Sequence, residues 1–188
     1  MKNALHDILT KKNLFFNLDL RSKNLQGGVS MARAIVLYYT RTGVTEAMAK
    51  TIATTLTQEG IATDLVHCDA FALDTLRNYD VIVIGSPTYY GGMAAEMKKI
   101  LDESVKFHGE LTGKIGGAFA SSANPAGGNE TTIWSILNAL LIHGMIIKGS
   151  SEGSHYGPVA IERFDQRAAQ ECQDYAKALA RLAKALFG

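Results

Sequence analysis

The stretch from Leu37 to Ala53, LYYTRTGVTEAMAKTIA, places hydroxyls and a glycine at a strand-to-helix corner. An apolar run stops at Thr40, Thr42, Gly43 and Thr45 follow closely, and a helical pattern then begins. Such a corner suits an anion. The first amides of a helix have no intrahelical partner, and the helix dipole favours negative charge beside them. Gly43 lets the backbone come close, and Thr40, Thr42 and Thr45 add hydroxyl donors. This reads as a phosphate site without an obligatory cation. A plainer reading makes Thr45 only a helix N-cap and Thr42-Gly43 a turn. Arg41 either touches an anionic ligand or is solvated. The corner carries neither GxxxxGK[ST] nor GxGxxG, so it is neither a triphosphate loop nor a dinucleotide loop.

Two further loops bear on the same question. SPTYYGG (86–92) offers the aromatic faces of Tyr89 and Tyr90 beside Gly91 and Gly92. SSANPAGGNETT (121–132) offers small polar side chains and a glycine pair whose amides can donate to ring carbonyls. A phosphate corner, an aromatic wall and an amide-lined loop together suit a flat, monophosphorylated heteroaromatic molecule.

Strands must carry these loops to one edge. AIVLYY (34–39) is short, apolar and β-branched, as a buried strand is, and IATDLVH (61–67), DVIVIGS (80–86), KIGGAFAS (114–121) and MIIK (145–148) read as the next four strands. Gly116 and Gly117 in the fourth let something pack closely. Between the strands, helical spacing predicts helices over 45–58, ended by Gly60, a short one over 70–79, and others over 92–105 and 130–144. A long amphipathic helix follows over 163–187. Trp134, spaced with Ile133 and Leu137, reads as core. Five strands alternating with helices give a parallel sheet covered on both faces, with ligands at the strands' carboxyl ends.

Composition narrows the alternatives. The 188 residues are one domain's length, 47% are hydrophobic, and 19 basic against 18 acidic residues leave a net charge of +1. No like-charge run supports nucleic-acid or membrane-surface binding. The two cysteines, Cys68 and Cys172, form no CxxC, so no disulfide framework, zinc site or iron–sulfur cluster is expected, which fits a reducing cytoplasm. Residues 1–30 lack the apolar core of a signal peptide and end in a flexible LQGGVS. They read as a peripheral extension, or else as a short helix docking on the domain or a partner; the domain proper is expected over 31–188.

LYYTRTGVTEAMA, GSPTYYGGMAAEMKKILD, FASSANPAGGNETTIWSILNALLIHGM and GSHYGPVAI together resemble the flavodoxin-like FMN proteins, and more closely the WrbA-type NAD(P)H:quinone oxidoreductases. The likeness covers about residues 33 to 187, although the family's insertion before the GSHYGPVAI segment is missing. It implies a flavodoxin-like, doubly wound, five-stranded parallel sheet with helices on both faces. It further implies FMN, with its phosphate at Thr40, Arg41, Thr42, Gly43, Val44 and Thr45. Pro87, Thr88, Tyr89, Tyr90 and Gly91 would line the isoalloxazine, and Ser121, Ser122, Ala123, Asn124, Ala126 and Gly127 its pyrimidine side. His143 matches a histidine near the flavin in that family; the other reading is a helix-end histidine paired with terminal carbonyls. No protein side chain need act as catalyst, and no metal is called for.

The activity so implied is hydride transfer from NADH or NADPH through FMN to a quinone or similar acceptor, by a cytoplasmic homodimer or higher homo-oligomer. The alternative is a one-electron carrier of the flavodoxin kind. Carriers of that kind are strongly acidic and usually wall both ring faces with aromatics, whereas this chain is nearly neutral and has no aromatic between Ser121 and Thr132.

Overall fold

The computed structural model describes residues 32–188; the expectations for residues 1–30 lie outside the described residues. Five parallel strands, β1 (Arg33–Tyr38), β2 (Ala62–His67), β3 (Val81–Pro87), β4 (Ile115–Ser122) and β5 (Ile146–Ile147), stand in the order β2-β1-β3-β4-β5. A sixth, β6 (Val159–Ile161), was not expected from the sequence and pairs in parallel with Ala120–Ser122, the carboxyl end of β4. Because β5 pairs only with Ile115 and Gly116, the two short strands share the edge of one long one.

The helices are α1 (Val44–Gln58), α2 (Ala95–Glu103), α3 (Asn129–Ile142) and α4 (Gln166–Phe187). Alternation along the central strands decides which helix meets which face. Ala34, Val36, Val81 and Val83 join a core with Met48, Ile52 and Leu56 of α1 and Cys172, Ala176 and Leu179 of α4. Ile35, Leu37, Ile82 and Ile84 join the opposite core with Met97 of α2 and Ile133, Ile136, Leu137 and Leu140 of α3. The central sheet is therefore covered on both faces, as its buried strands β1, β3 and β4 require.

Where the sequence predicts one helix over 70–79, the chain forms two 3₁₀ pieces, Cys68–Ala70 and Leu73–Asn78. The helix expected from residue 92 begins at Ala95, because Gly92 is taken up in a tight turn with Tyr89. The glycines of β4 act as close-approach positions. A Cβ on Gly117 would lie 2.7 Å from the Tyr175 hydroxyl, and one on Gly116 would lie 2.7 Å from Ile147.

Candidate functional site

After β1 the chain turns sharply: the Gly43 amide donates to Thr40 Oγ1 at 3.0 Å. Gly43, at φ 90°, is the N-cap of α1, and no side chain caps the helix. The first intrahelical bond runs from the Ala47 amide to the Gly43 carbonyl, so the amides of Val44, Thr45 and Glu46 precede the ladder. Thr45 is thus not the N-cap. Its buried hydroxyl lies 2.9 Å from Ser121 Oγ and ties the corner to the end of β4.

The second loop is pinned on both sides. Ser86 Oγ accepts from the Ala94 amide at 2.8 Å, and the Thr88 amide donates to the Ser121 carbonyl at 2.7 Å. Tyr89 and Gly92 exchange backbone bonds of 2.9 and 3.0 Å around a tip where Tyr90 and Gly91 both take positive φ. Tyr90 is therefore fully exposed at the tip. Tyr89 turns inward against Tyr39, with ring centroids 6.4 Å apart, and its buried hydroxyl has no hydrogen-bond partner.

The third loop closes on itself and on the second. The Gly127 amide donates to the Asn124 carbonyl at 3.1 Å, and Asn129 Nδ2 donates to Ser122 Oγ at 3.4 Å. Gly128, at φ 88°, caps α3, and a Cβ there would lie 2.8 Å from Gly91 Cα. Thr132 Oγ1 stands 2.9 Å from Thr88 Oγ1. Ala123, Asn124, Pro125 and Ala126 are exposed.

Between the loops lies a cleft of about 300 Å³, lined by Arg41, Thr42 and Val44, by Pro87, Thr88 and Tyr89, and by Ser121, Ser122 and Ala123. Glu162 also lines it, a residue that sequence reasoning missed. It follows β6 with φ 63°, its amide donating to the Ser122 carbonyl at 2.7 Å. No glycine marks that left-handed position, so the sequence carries no signal for it. A larger groove, about 620 Å³, runs between residues 148–154 and α4 and touches none of the three loops. Its acids and bases are interspersed, its aromatic lining residue, Tyr175, is buried with its hydroxyl accepting from the Ala118 amide, and it offers no helix start.

Two expectations fail on geometry. His143 caps the C-terminus of α3, fourteen residues of helix away from the third loop. It is buried with Nε2 2.8 Å from Ser104 Oγ, and the adjoining Gly144 carbonyl accepts from the Gly113 amide, just before β4 starts. The chain thus places His143 at the amino end of the sheet, opposite the cleft, in a helix-end role. Trp134 is not core: it is 40% exposed, its ring 5.1 Å from that of Tyr156.

Residues 35–135 match the family described as the flavodoxin domain. The chain belongs to that family. The flavodoxin domain here is 37% identical over 145 residues to an NAD(P)H dehydrogenase (quinone) of Rhodopseudomonas palustris (strain TIE-1), covering 65% of this chain and 73% of the relative. It is 32% identical over 158 residues to a flavodoxin of Clostridium saccharobutylicum, covering 81% of this chain and 98% of that one. Among solved structures, a flavodoxin, WrbA-like protein from Agrobacterium tumefaciens superposes with a TM-score of 0.71 at 26% identity, over 82% of this chain and 98% of that one.

The donor set of the cleft suits an anionic monoester joined to a flat ring. Uncapped amides, the Thr42 hydroxyl and Arg41 are available to the anion, and Tyr89 gives an aromatic wall with an unsatisfied hydroxyl. Among the described residues, no helix is long and apolar enough to cross a membrane.

Proposed function

We propose that the three-loop cleft holds FMN and that the chain passes hydride from NADH or NADPH to a quinone-class acceptor. The observation that carries this reading is the uncapped start of α1, opening beside Thr42 into a cleft walled by Tyr89. The amides of Val44, Thr45 and Glu46 would take the phosphate, where the helix dipole favours charge. Thr88 and Tyr89 would bound the ring, and the Ser121–Gly127 backbone would meet its pyrimidine edge.

Bound FMN supplies the redox centre; the side chains supply position and field. Of the exposed third-loop residues Ala123 to Ala126, the small Ala123 lines the cleft. An uncovered face is what a hydride donor needs, since reacting atoms must approach to about 3–3.5 Å. The near-neutral charge of the chain also suits a small-molecule partner better than a basic redox protein.

The test is anaerobic mixing of the FMN-loaded protein with NADH, then NADPH, then a panel of quinones. Bleaching by a nicotinamide and recovery with a quinone supports the reductase. Ala126→Trp, which adds a ring at the exposed third loop, should slow turnover more than it weakens FMN binding.

A second reading, the electron carrier, is favoured by one observation: the chain spans nearly the whole length of its clostridial flavodoxin relative. Inertness to both nicotinamides, with rapid reduction by one-electron donors, would establish the carrier instead.

A further inference from the structure

We propose that His67, Cys68 and Asp69 form a binding site for a divalent cation of the zinc class at the carboxyl end of β2. Each residue offers one ligand atom, and the three lie within 4.8 Å of one another. Cys68 Sγ stands 4.0 Å from His67 Nδ1 and 3.5 Å from Asp69 Oδ1, and Nδ1 stands 3.5 Å from Asp69 Oδ2. Metal–ligand bonds of about 2.0–2.3 Å in a tetrahedron set donor–donor edges of roughly 3.3–3.6 Å. The two Asp69 distances run to different oxygens; with one ligand atom per residue the donors lie within 4.8 Å, so the cluster must close by up to about an ångström to reach those edges.

The surroundings prepare it. Nδ1 accepts from the Asp69 amide at 3.3 Å, a long hydrogen bond that a metal must displace to take the Nδ1 lone pair. The imidazole is held by the Tyr38 ring edge-on at 5.3 Å and by Tyr39 at 5.8 Å, and β-pairing opposes His67 to Tyr38. Cys68 is buried, while the Asp69 side chain is 76% exposed, so the site opens outward and leaves an entry path and a position for water. Glu96, in the first turn of α2, acts on both Cys68 and Tyr39 and brings a further negative charge close by.

The ligand types select the ion. Thiolate and imidazole prefer zinc-class cations over calcium or magnesium, and thiolate plus carboxylate neutralise a dication. An ordinary cysteine thiol is protonated at neutral pH. On binding, the S–H bond breaks, the metal–sulfur bond forms, and one proton leaves to solvent with no change of oxidation state. Three consecutive ligands match no CxxC or spaced His/Cys pattern, which is why the sequence reading expected no zinc site. Because the site lies behind Tyr39 and not in the cleft, the inference stands apart from the proposed redox function.

The test titrates the untagged, metal-stripped, flavin-free full chain with Co²⁺. The expected result is near-ultraviolet thiolate-to-cobalt absorption saturating at one equivalent, one proton released per ion, and displacement by Zn²⁺. Cys172→Ser should leave the absorption unchanged and Cys68→Ser should abolish it. Asp69→Asn alters an exposed side chain, leaves the fold in place, and should weaken Co²⁺ binding at least about tenfold, since even outer partners of metal ligands are worth that much. It decides the matter if Cys68→Ser fails to fold. Absence of the absorption at one equivalent, its survival in Cys68→Ser, or unchanged affinity in Asp69→Asn would each overturn the proposal.

Discussion

Thr42 and Thr45 lie three positions apart and do different work. Thr42 lines the cleft, whereas the Thr45 hydroxyl is buried against Ser121. A hydrogen bond to a charged acceptor is worth about 1.5–3 kcal/mol, so Thr42→Val should weaken FMN binding about tenfold or more without lowering the melting temperature. Thr45→Val strands the Ser121 hydroxyl and should cost about 1–3 kcal/mol of stability, measured by urea unfolding of the apoprotein. His143 gives a pH test at the other end of the sheet. Burial first, and then the charge of His108, hold its imidazole below the usual 6.5. The unfolded chain therefore binds a proton that the native chain resists. The stability at stake is whole above that value and is lost on acidification. Thermal melts at about pH 8 and about pH 5.5 should differ less in His143→Gln, which keeps a hydrogen-bonding group near Ser104 but cannot titrate.

Among elements, close approach fixes the packing of the central strands. A Cβ on Gly85 of β3 would lie 2.0 Å from the Phe119 ring, itself wholly buried. Gly85→Ala should therefore destabilise by about 1–3 kcal/mol through overpacking, seen as a lower urea midpoint with an unchanged slope. Much of this level was legible beforehand. Short strand-like runs located five strands, although β2 is exposed or half-buried along its length, and Gly116 and Gly117 announced the close contacts made by Ile147 and Tyr175. The sixth strand was not legible, because Val159–Ile161 is three residues long and owes its pairing to the far end of β4. The helical pattern around 70–79 likewise could not reveal that Ala72 would take an extended backbone and split it. His143 was misplaced for a related reason: a motif gives neighbours in sequence, but a fourteen-residue helix carries its last residue away from its first. Glu162 reached the cleft through a positive φ that no residue type advertises.

On the scale of the molecule, every motif of the candidate site lies after Ala34. A chain beginning at Met31 should thus fold and bind FMN with the affinity of the full chain; its failure to fold would show that residues 1–30 complete the domain. The central claim is that an uncapped helix start makes this cleft a phosphate-anchored flavin site. Flavin fluorescence quenching on the apoprotein tests it most directly, with FMN and riboflavin titrated side by side. Several charge-assisted hydrogen bonds at the corner should make FMN bind at one equivalent and at least about a hundredfold more tightly than riboflavin. Equal affinity for the two flavins, or no saturable binding of FMN, would contradict the account.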